Sequence, residues 1–199
     1  KDRELLLRRA YLIVEGVVLA GLITEATQGF IYIRHEYAEQ IEACRAEIAR
    51  AEQMGICGTD AAVLGRSFNV SVFVSPGGYI CGEQSALIEA MSDRRGEPRN
   101  MPPKLETNGL IDLPTLVSNV ETFAWTPYII LNGGKTYASQ GNNGWLGRRF
   151  FSVSGDVKRP GVYEVPMGMT LRELILGAQY CQGMVNDLPL KGIAPSGPS

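Results

Sequence analysis

The chain has 199 residues and a mass of 21.7 kDa, long enough to bury a hydrophobic core without metal or disulfide staples and too short for a multidomain machine. Apolar residues make up 45% and charged residues 20%, which excludes a disordered, collagen-like or low-complexity chain. With 19 Lys and Arg against 21 Asp and Glu, a net charge of -2 supplies no broad basic surface for nucleic acid or an anionic bilayer.

Residues 4 to 23 are apolar around much of the helical circumference, with Gly16 and Gly21 as small contact points, and predict one well-buried helix. Its most apolar part, Leu12 to Ile23, is too short to span a bilayer and is interrupted by Glu15. The N-terminus lacks the regions of a secretory signal, which places the protein in the cytoplasm, and it lacks an initiator Met, which points to a fragment. Phe30-Ile31-Tyr32-Ile33 predicts a central strand covered on both faces. Tyr37, Ile41, Cys44, Ile48 and Ala51 predict a helix stopped at Gly55, with Glu42/Arg45 and Glu47/Arg50 paired on its wetter side.

Residues 67 to 75 alternate, placing Phe68, Val70, Val72 and Val74 on one face of a second strand. Strand, helix and strand make a βαβ unit with parallel pairing, and ligands of such sheets bind beyond the carboxyl ends of the strands. From Ser92 to Pro114 no period survives, and a helix is expected from Pro114 through Val117, Val120, Phe123 and Ala124, stopped by Asn132-Gly133-Gly134. The Gly/Asn-rich segment from Gly141 to Gly147 is the expected domain boundary, dividing the chain into 1–147 and 148–199. Beyond it, two strands at 150–154 and 161–165 form a hairpin, and Thr170 with Glu173 predicts a capping box on a helix from Leu171 to Leu176. Hairpin and helix together suggest a β-grasp module, followed by a linker-like tail from Gly192 to Ser199.

Cys44, Cys57, Cys81 and Cys181 lie far apart without a CxxC pair or a neighbouring His, so no metal site is expected and the thiols are read as reduced and buried. His35, the sole histidine, stands where a strand ends and a helix begins and is read as a polar turn residue. The strongest local signal is the bend Pro76-Gly77-Gly78-Tyr79-Ile80-Cys81-Gly82-Glu83-Gln84 between a strand and a helix. Its glycines let backbone N–H groups close on a ligand, at a helix N-terminus suited to phosphate or an electron-rich ring edge. A bare structural turn fits the same pattern, and Glu83 is ordinary first-turn chemistry. Arg94, Arg95, Arg99 and Lys104 make either a contact for a nucleotide phosphate or, on the simpler reading, a solvated charged loop.

Five segments taken in order, Gly77 to Leu87, Arg95-Gly96-Glu97-Pro98-Arg99, Pro102-Pro103, Pro114 to Thr122 and Phe151 to Pro166, resemble the NADH-binding flavoprotein subunit of respiratory NADH:quinone oxidoreductase, complex I. Diaphorase subunits of NAD-linked hydrogenases and formate dehydrogenases share these motifs. The resemblance implies an α/β chain: part of a Rossmann-like FMN-binding domain, then a small β-grasp soluble-ligand-binding domain. It implies FMN and NADH as ligands of the full-length subunit, with Tyr79, Gly82, Glu83 and Gln84 beside flavin and nicotinamide and Val117, Ser118 and Asn119 on the flavin ring or ribityl chain. It also implies a 4Fe-4S cluster on a later segment, other subunits of the complex as partners, and a peripheral location at the inner membrane through that complex.

Gln84 stands where the family has a second Glu, which removes a negative charge from the nucleotide pocket. Met101 and Lys104 stand where a Lys and a Phe hold NADH, and Ser118 where Asn is common. The family's glycine-rich phosphate loop precedes the motif that matches Lys1-Asp2-Arg3 and its cluster cysteines follow Ser199, so the isolated piece is expected to bind FMN weakly and to be inactive. The expected function is electron input from NADH, with two alternatives: a diaphorase subunit, or a catalytically lapsed docking scaffold.

Overall fold

A computed structural model describes residues 1–62 and 64–195; the last four residues of the expected tail lie outside it. The chain divides into two compact units, Asp2–Leu131 and, with Lys1, a second from Asn132 onward.

In the first unit, the expected single N-terminal helix is two helices, α1 (Asp2–Arg8) and α2 (Ala10–Thr24), interrupted at Arg9, whose φ of -137° and ψ of 30° leave the helical region. The break lets both segments pack on α3 (Ala38–Gln53) while burying Leu5 and Leu6 as well as Ile13, Val14 and Val17. Gly16 and Gly21 are contact points as read: a Cβ on Gly16 would lie 2.0 Å from the Phe123 carbonyl oxygen, and one on Gly21 would lie 2.4 Å from the Phe68 ring. Arg66 donates to the carbonyls of Gly21 and Ala26 at 2.6 Å each, which ties the segment before β2 to the end of α2.

Strands β1 (Gln28–Arg34) and β2 (Asn69–Ser75) pair in parallel, in register from Gln28 opposite Asn69 to Arg34 opposite Ser75. Helix α3 connects them and buries Ile41, Cys44, Ile48 and Ala51, four of the five positions its spacing predicts; the fifth, Tyr37, is the half-buried residue that caps its start. It ends at Gly55, whose φ of +68° suits glycine. There the Gly55 and Ile56 amides close on the Glu52 and Ala51 carbonyls at 2.9 Å, a Schellman stop. The helices α2 and α3 pack on both strands, and Ile31, Ile33 and Val70 are buried.

One strand expectation changes. Phe30 is 39% exposed, so β1 is covered on the Ile31–Ile33 face and not on both. Its other face carries Tyr32, stacked on Phe73 at 5.5 Å. Val74 is also 39% exposed while Ser75 is buried. Among the described residues β2 has a strand partner on one side alone, which leaves Val74 open, and the bend after β2 closes on Ser75.

Helix α4 (Gln84–Met91) follows that bend, and α5 (Val120–Asn132) begins six residues after Pro114, where the helix was expected. The intervening residues bond elsewhere: the Thr115 amide donates to the Leu105 carbonyl at 2.9 Å, and the Leu113 carbonyl accepts from Gly109 at 2.8 Å. Extended backbone is therefore held there until Asn119 starts the helix, its side-chain oxygen accepting from the Glu121 amide at 2.9 Å.

The second unit opens with a short helix, α6 (Gly134–Ala138), whose N-cap Gly133 and first residue Gly134 are the glycines that predict a stop. Strands β3 (Arg148–Val153) and β4 (Gly161–Pro166) form the expected antiparallel hairpin, followed by α7 (Leu171–Leu176). The Gly141–Gly147 stretch bonds into this unit, with the Asn142 amide on the Met167 carbonyl at 2.7 Å and the Met167 amide on Gly147 at 2.9 Å. Val157, Ile175 and Cys181 form the local core, packed by Val153, Tyr163, Met184 and Leu190.

The capping box on α7 is present: Thr170 Oγ1 accepts from the Glu173 amide at 3.2 Å, and the Glu173 carboxylate accepts from the Thr170 amide at 2.8 Å. Thr170→Ala is expected to cost about 1 kcal/mol, read as a lower denaturation midpoint in urea with an unchanged slope. No helix among the described residues is long and apolar enough to cross a membrane.

Candidate functional site

The bend beyond the carboxyl end of β2 is built on backbone that favours glycine. Gly77 and Gly78 have φ of +98° and +105° and turn the chain into a 3₁₀ turn over Tyr79–Gly82. Tyr79 is 90% exposed, and a Cβ on Gly82 would meet no atom within 4 Å. The result is an open surface at Gly82, rimmed by the exposed Tyr79 and Ile80 side chains, where a flat group can approach the backbone. His35, at the corner between β1 and α3, borders it: a Cβ on Gly77 would lie 3.0 Å from its Cε1. Its place is that of the polar turn residue expected, and it is exposed.

Glu83 caps α4. Its carboxylate accepts from the Ser85 amide at 3.1 Å, the Ala86 amide at 2.9 Å and the Ser85 hydroxyl at 2.6 Å. The Ser85 hydroxyl bond, followed by these amides, holds the carboxyl below its ordinary pKa, so Glu83 is a fixed anion. Ser85 is itself buried and accepts from the Arg99 amide at 2.8 Å, which ties the long loop to the first turn of α4.

That loop is not uniformly solvated. Glu89 binds Arg94 at 2.5 Å and also Arg99, and the Arg99 side chain, only 14% exposed, donates at 2.7 Å to the Asn108 carbonyl. Arg99 is thus a structural clamp that the pattern of charges did not reveal. Arg95 pairs with Glu97 at 2.8 Å, while Met101 and Lys104 are exposed.

The second predicted segment meets the bend through one side chain. Gln84 Nε2 donates to the Val117 carbonyl at 3.4 Å, a long bond that a carboxylate at position 84 could not donate. Ser118 is half-buried. Asn119 donates through Nδ2 to Asp2 at 3.2 Å while its oxygen caps α5. Gln84 and Val117 are therefore brought together directly, whereas Tyr79 and Gly82 face open space and Glu83 and Asn119 are engaged as helix caps. All four cysteines are buried and unbridged, and burial raises the Cys44 thiol to about 11.

In the second unit, a recess of about 80 Å³ lies between β4 and α7, lined by Phe151, Val165, Met167, Met169, Leu171 and Leu174. It is apolar and carries no titratable group.

Comparison with known proteins bears on both units. Residues 1–127 match the Nuo51 FMN-binding domain, and residues 150–178 match the SLBB domain. The chain is 40% identical over 195 residues to an NADH-quinone oxidoreductase subunit of Aquifex aeolicus, covering 97% of this chain and 45% of that protein. It is 38% identical over 200 residues to the mitochondrial NADH dehydrogenase (ubiquinone) flavoprotein 1 of Dictyostelium discoideum, covering all of this chain and 41% of that protein. A solved NAD+-reducing NiFe hydrogenase in its H2-reduced state superposes with a TM-score of 0.78 at 34% identity, over 92% of this chain and 30% of that one. The chain thus spans less than half the length of these relatives. With the Nuo51 match covering nearly two thirds of its residues, the glycine-backed bend and the helices that frame it belong to the Nuo51 FMN-binding domain family.

Proposed function

We propose that this chain is the central part of an electron-input flavoprotein subunit of an NADH:quinone oxidoreductase, binding FMN and NADH together with flanking segments. The observation that carries this reading is the open bend at Tyr79–Gly82, held beside Val117 by Gln84, in a chain whose relatives are such subunits. When bound, FMN supplies the redox chemistry: it accepts a hydride from NADH and gives up electrons singly.

The residues present fit such a group. Gly82 leaves the backbone open to a planar ring, and Tyr79 stands exposed at the rim. Val117, Ser118 and Asn119 would border the ring or ribityl chain. Glu83, fixed as an anion by its cap, sets a negative charge at the rim, and Gln84 adds a neutral amide where its bond to Val117 joins the two segments. The proposal includes a flavin-side domain over 1–147 and a soluble-ligand-binding β-grasp domain over 148–199. It further includes a 4Fe-4S cluster on a later segment, partner subunits, and a peripheral position at the inner membrane, with membrane contact through the complex alone. The hydrogenase superposition supports a second reading, a diaphorase subunit of an NAD-linked hydrogenase or formate dehydrogenase, whose bend would serve the same step.

The test is NADH-dependent reduction of ferricyanide by the full-length subunit, beside FMN titration of the 199-residue piece. The loaded subunit is expected to turn over, and the isolated piece to retain FMN more weakly than micromolar. Gly82→Ala, which adds a methyl to the open surface without touching a neighbour, is expected to leave the thermal midpoint unchanged while weakening FMN. No turnover by an FMN-loaded subunit would favour a lapsed docking scaffold, and micromolar retention by the isolated piece would overturn the need for an upstream cradle.

A further inference from the structure

We infer that Tyr32 and Ser75, beneath the bend, are positioning residues that set the backbone of Gly77–Gly82 against the flavin. This rests on the reading above that FMN lies on that bend. Tyr32 stands on β1 and Ser75 at the last position of β2, on the sheet face opposite Ile31 and Ile33. The Ser75 hydroxyl donates to the Tyr32 oxygen at 2.7 Å and accepts from the Gly77 amide at 3.1 Å. Cys81, four residues on, turns its thiol back to the Gly77 carbonyl at 3.8 Å.

These bonds hold Gly77 from two sides: its amide on Ser75, which is anchored in turn on Tyr32, and its carbonyl on Cys81. Both backbone polar groups of Gly77 are thereby fixed from inside the protein, and the outward face of the turn stays free. The support is rigid for two reasons. Tyr32 is held by its stack on Phe73, with the planes 7° apart, and Ser75 is 1% exposed, so water does not compete for its hydroxyl. Burial, foremost, raises the Tyr32 pKa above its ordinary value, which keeps the phenol neutral and its hydrogen bonds unchanged across physiological pH.

A glycine-rich turn without such an underside would sample several conformations, and a ligand would have to order it on binding. Removing one hydrogen bond of this support is expected to weaken a ligand on the outer surface of the turn by about three- to tenfold.

The experiment uses the full-length subunit carrying Tyr32→Phe, Ser75→Ala or Ser75→Thr, with Ile48→Val as a core substitution remote from the bend. FMN dissociation constants, the visible absorption bands of bound FMN, and kcat and KM for NADH are measured. Tyr32→Phe keeps the ring stack and Ser75→Thr keeps the hydroxyl. Tyr32→Phe and Ser75→Ala are expected to weaken FMN three- to tenfold and to shift its absorption bands, Ser75→Thr to restore both, and Ile48→Val to alter neither. Unchanged affinity and unchanged bands in Tyr32→Phe and Ser75→Ala, while the parent subunit holds FMN, would overturn this inference alone. A parent subunit that holds no FMN at all would overturn the functional reading and this inference with it.

Discussion

Gly16→Ala is expected to destabilise the protein by about 3 kcal/mol, at the upper end for overpacking a core. The added methyl would sit 2.0 Å from the Phe123 carbonyl oxygen, 2.7 Å from its carbonyl carbon and 3.0 Å from its Cα. All three are backbone atoms of α5, so no rotamer change relieves the clash, and α2 and α5 must move apart. For a chain of this size the expected fall in Tm is about 6 to 12 °C. Gly21 makes a useful contrast, because its added methyl would meet the tip of the Phe68 ring at 2.4 Å, and a ring can tilt. Gly21→Ala is therefore expected to cost less than Gly16→Ala. Calorimetry of the two variants checks the order, and equal midpoints would show that α5 yields as readily as a side chain.

Helix α3 was legible residue by residue, since one stripe of Ile41, Cys44, Ile48 and Ala51 faces the sheet and its glycine stop is local. The hairpin of β3 and β4 and the capping box on α7 were legible for the same reason: each is decided within a few neighbouring residues. The start of α5 was not. It depends on where the Leu113, Thr115 and Val117 backbones find partners, and these lie at Gly109, Leu105 and Gln84. The break at Arg9 likewise follows from two segments meeting α3, which no period records.

At the candidate site the bend itself was visible as a cluster of glycines after a strand. Its underside was not, because Ser75 and Tyr32 lie 43 positions apart and neither carries a motif. Alternation places Val74 on one face with Val70 and Val72, yet the residue buried at the strand end is Ser75, on the other face. Arg99 escaped for a related reason. Four basic residues in eleven look like a solvated run until Glu89, ten positions back, is seen to hold one of them under the loop.

Arg99→Met is expected to cost about 2 to 3 kcal/mol, somewhat below the usual loss on breaking a buried pair, because Arg94 still neutralises Glu89. The Arg99 and Glu89 side chains are 14% and 15% exposed, so most of their solvation is already lost in the fold. The substitution also strands the Asn108 carbonyl, which accepts from Arg99 at 2.7 Å. The pH dependence supplies an independent check. Hydrogen bonding to Arg94, then to Arg99, lowers the Glu89 pKa from 4.5 to about 2. A carboxyl whose folded pKa lies below its unfolded one stabilises the protein fully above the unfolded value, and this contribution fades as the pH falls towards the folded value. The parent chain is therefore expected to lose stability between about pH 4.5 and pH 2 through this group. Glu89→Gln, already destabilised at pH 7, should lose less over the same interval. Urea unfolding at pH 7, 4.5 and 2.5 measures both; parallel curves for the two proteins would mean that the clamp gains nothing from its charge. The same residue reaches the bend through its backbone: the Arg99 amide donates to the Ser85 hydroxyl, which donates to the Glu83 carboxylate, so the loop after α4 and the cap of α4 share Ser85 as a common partner.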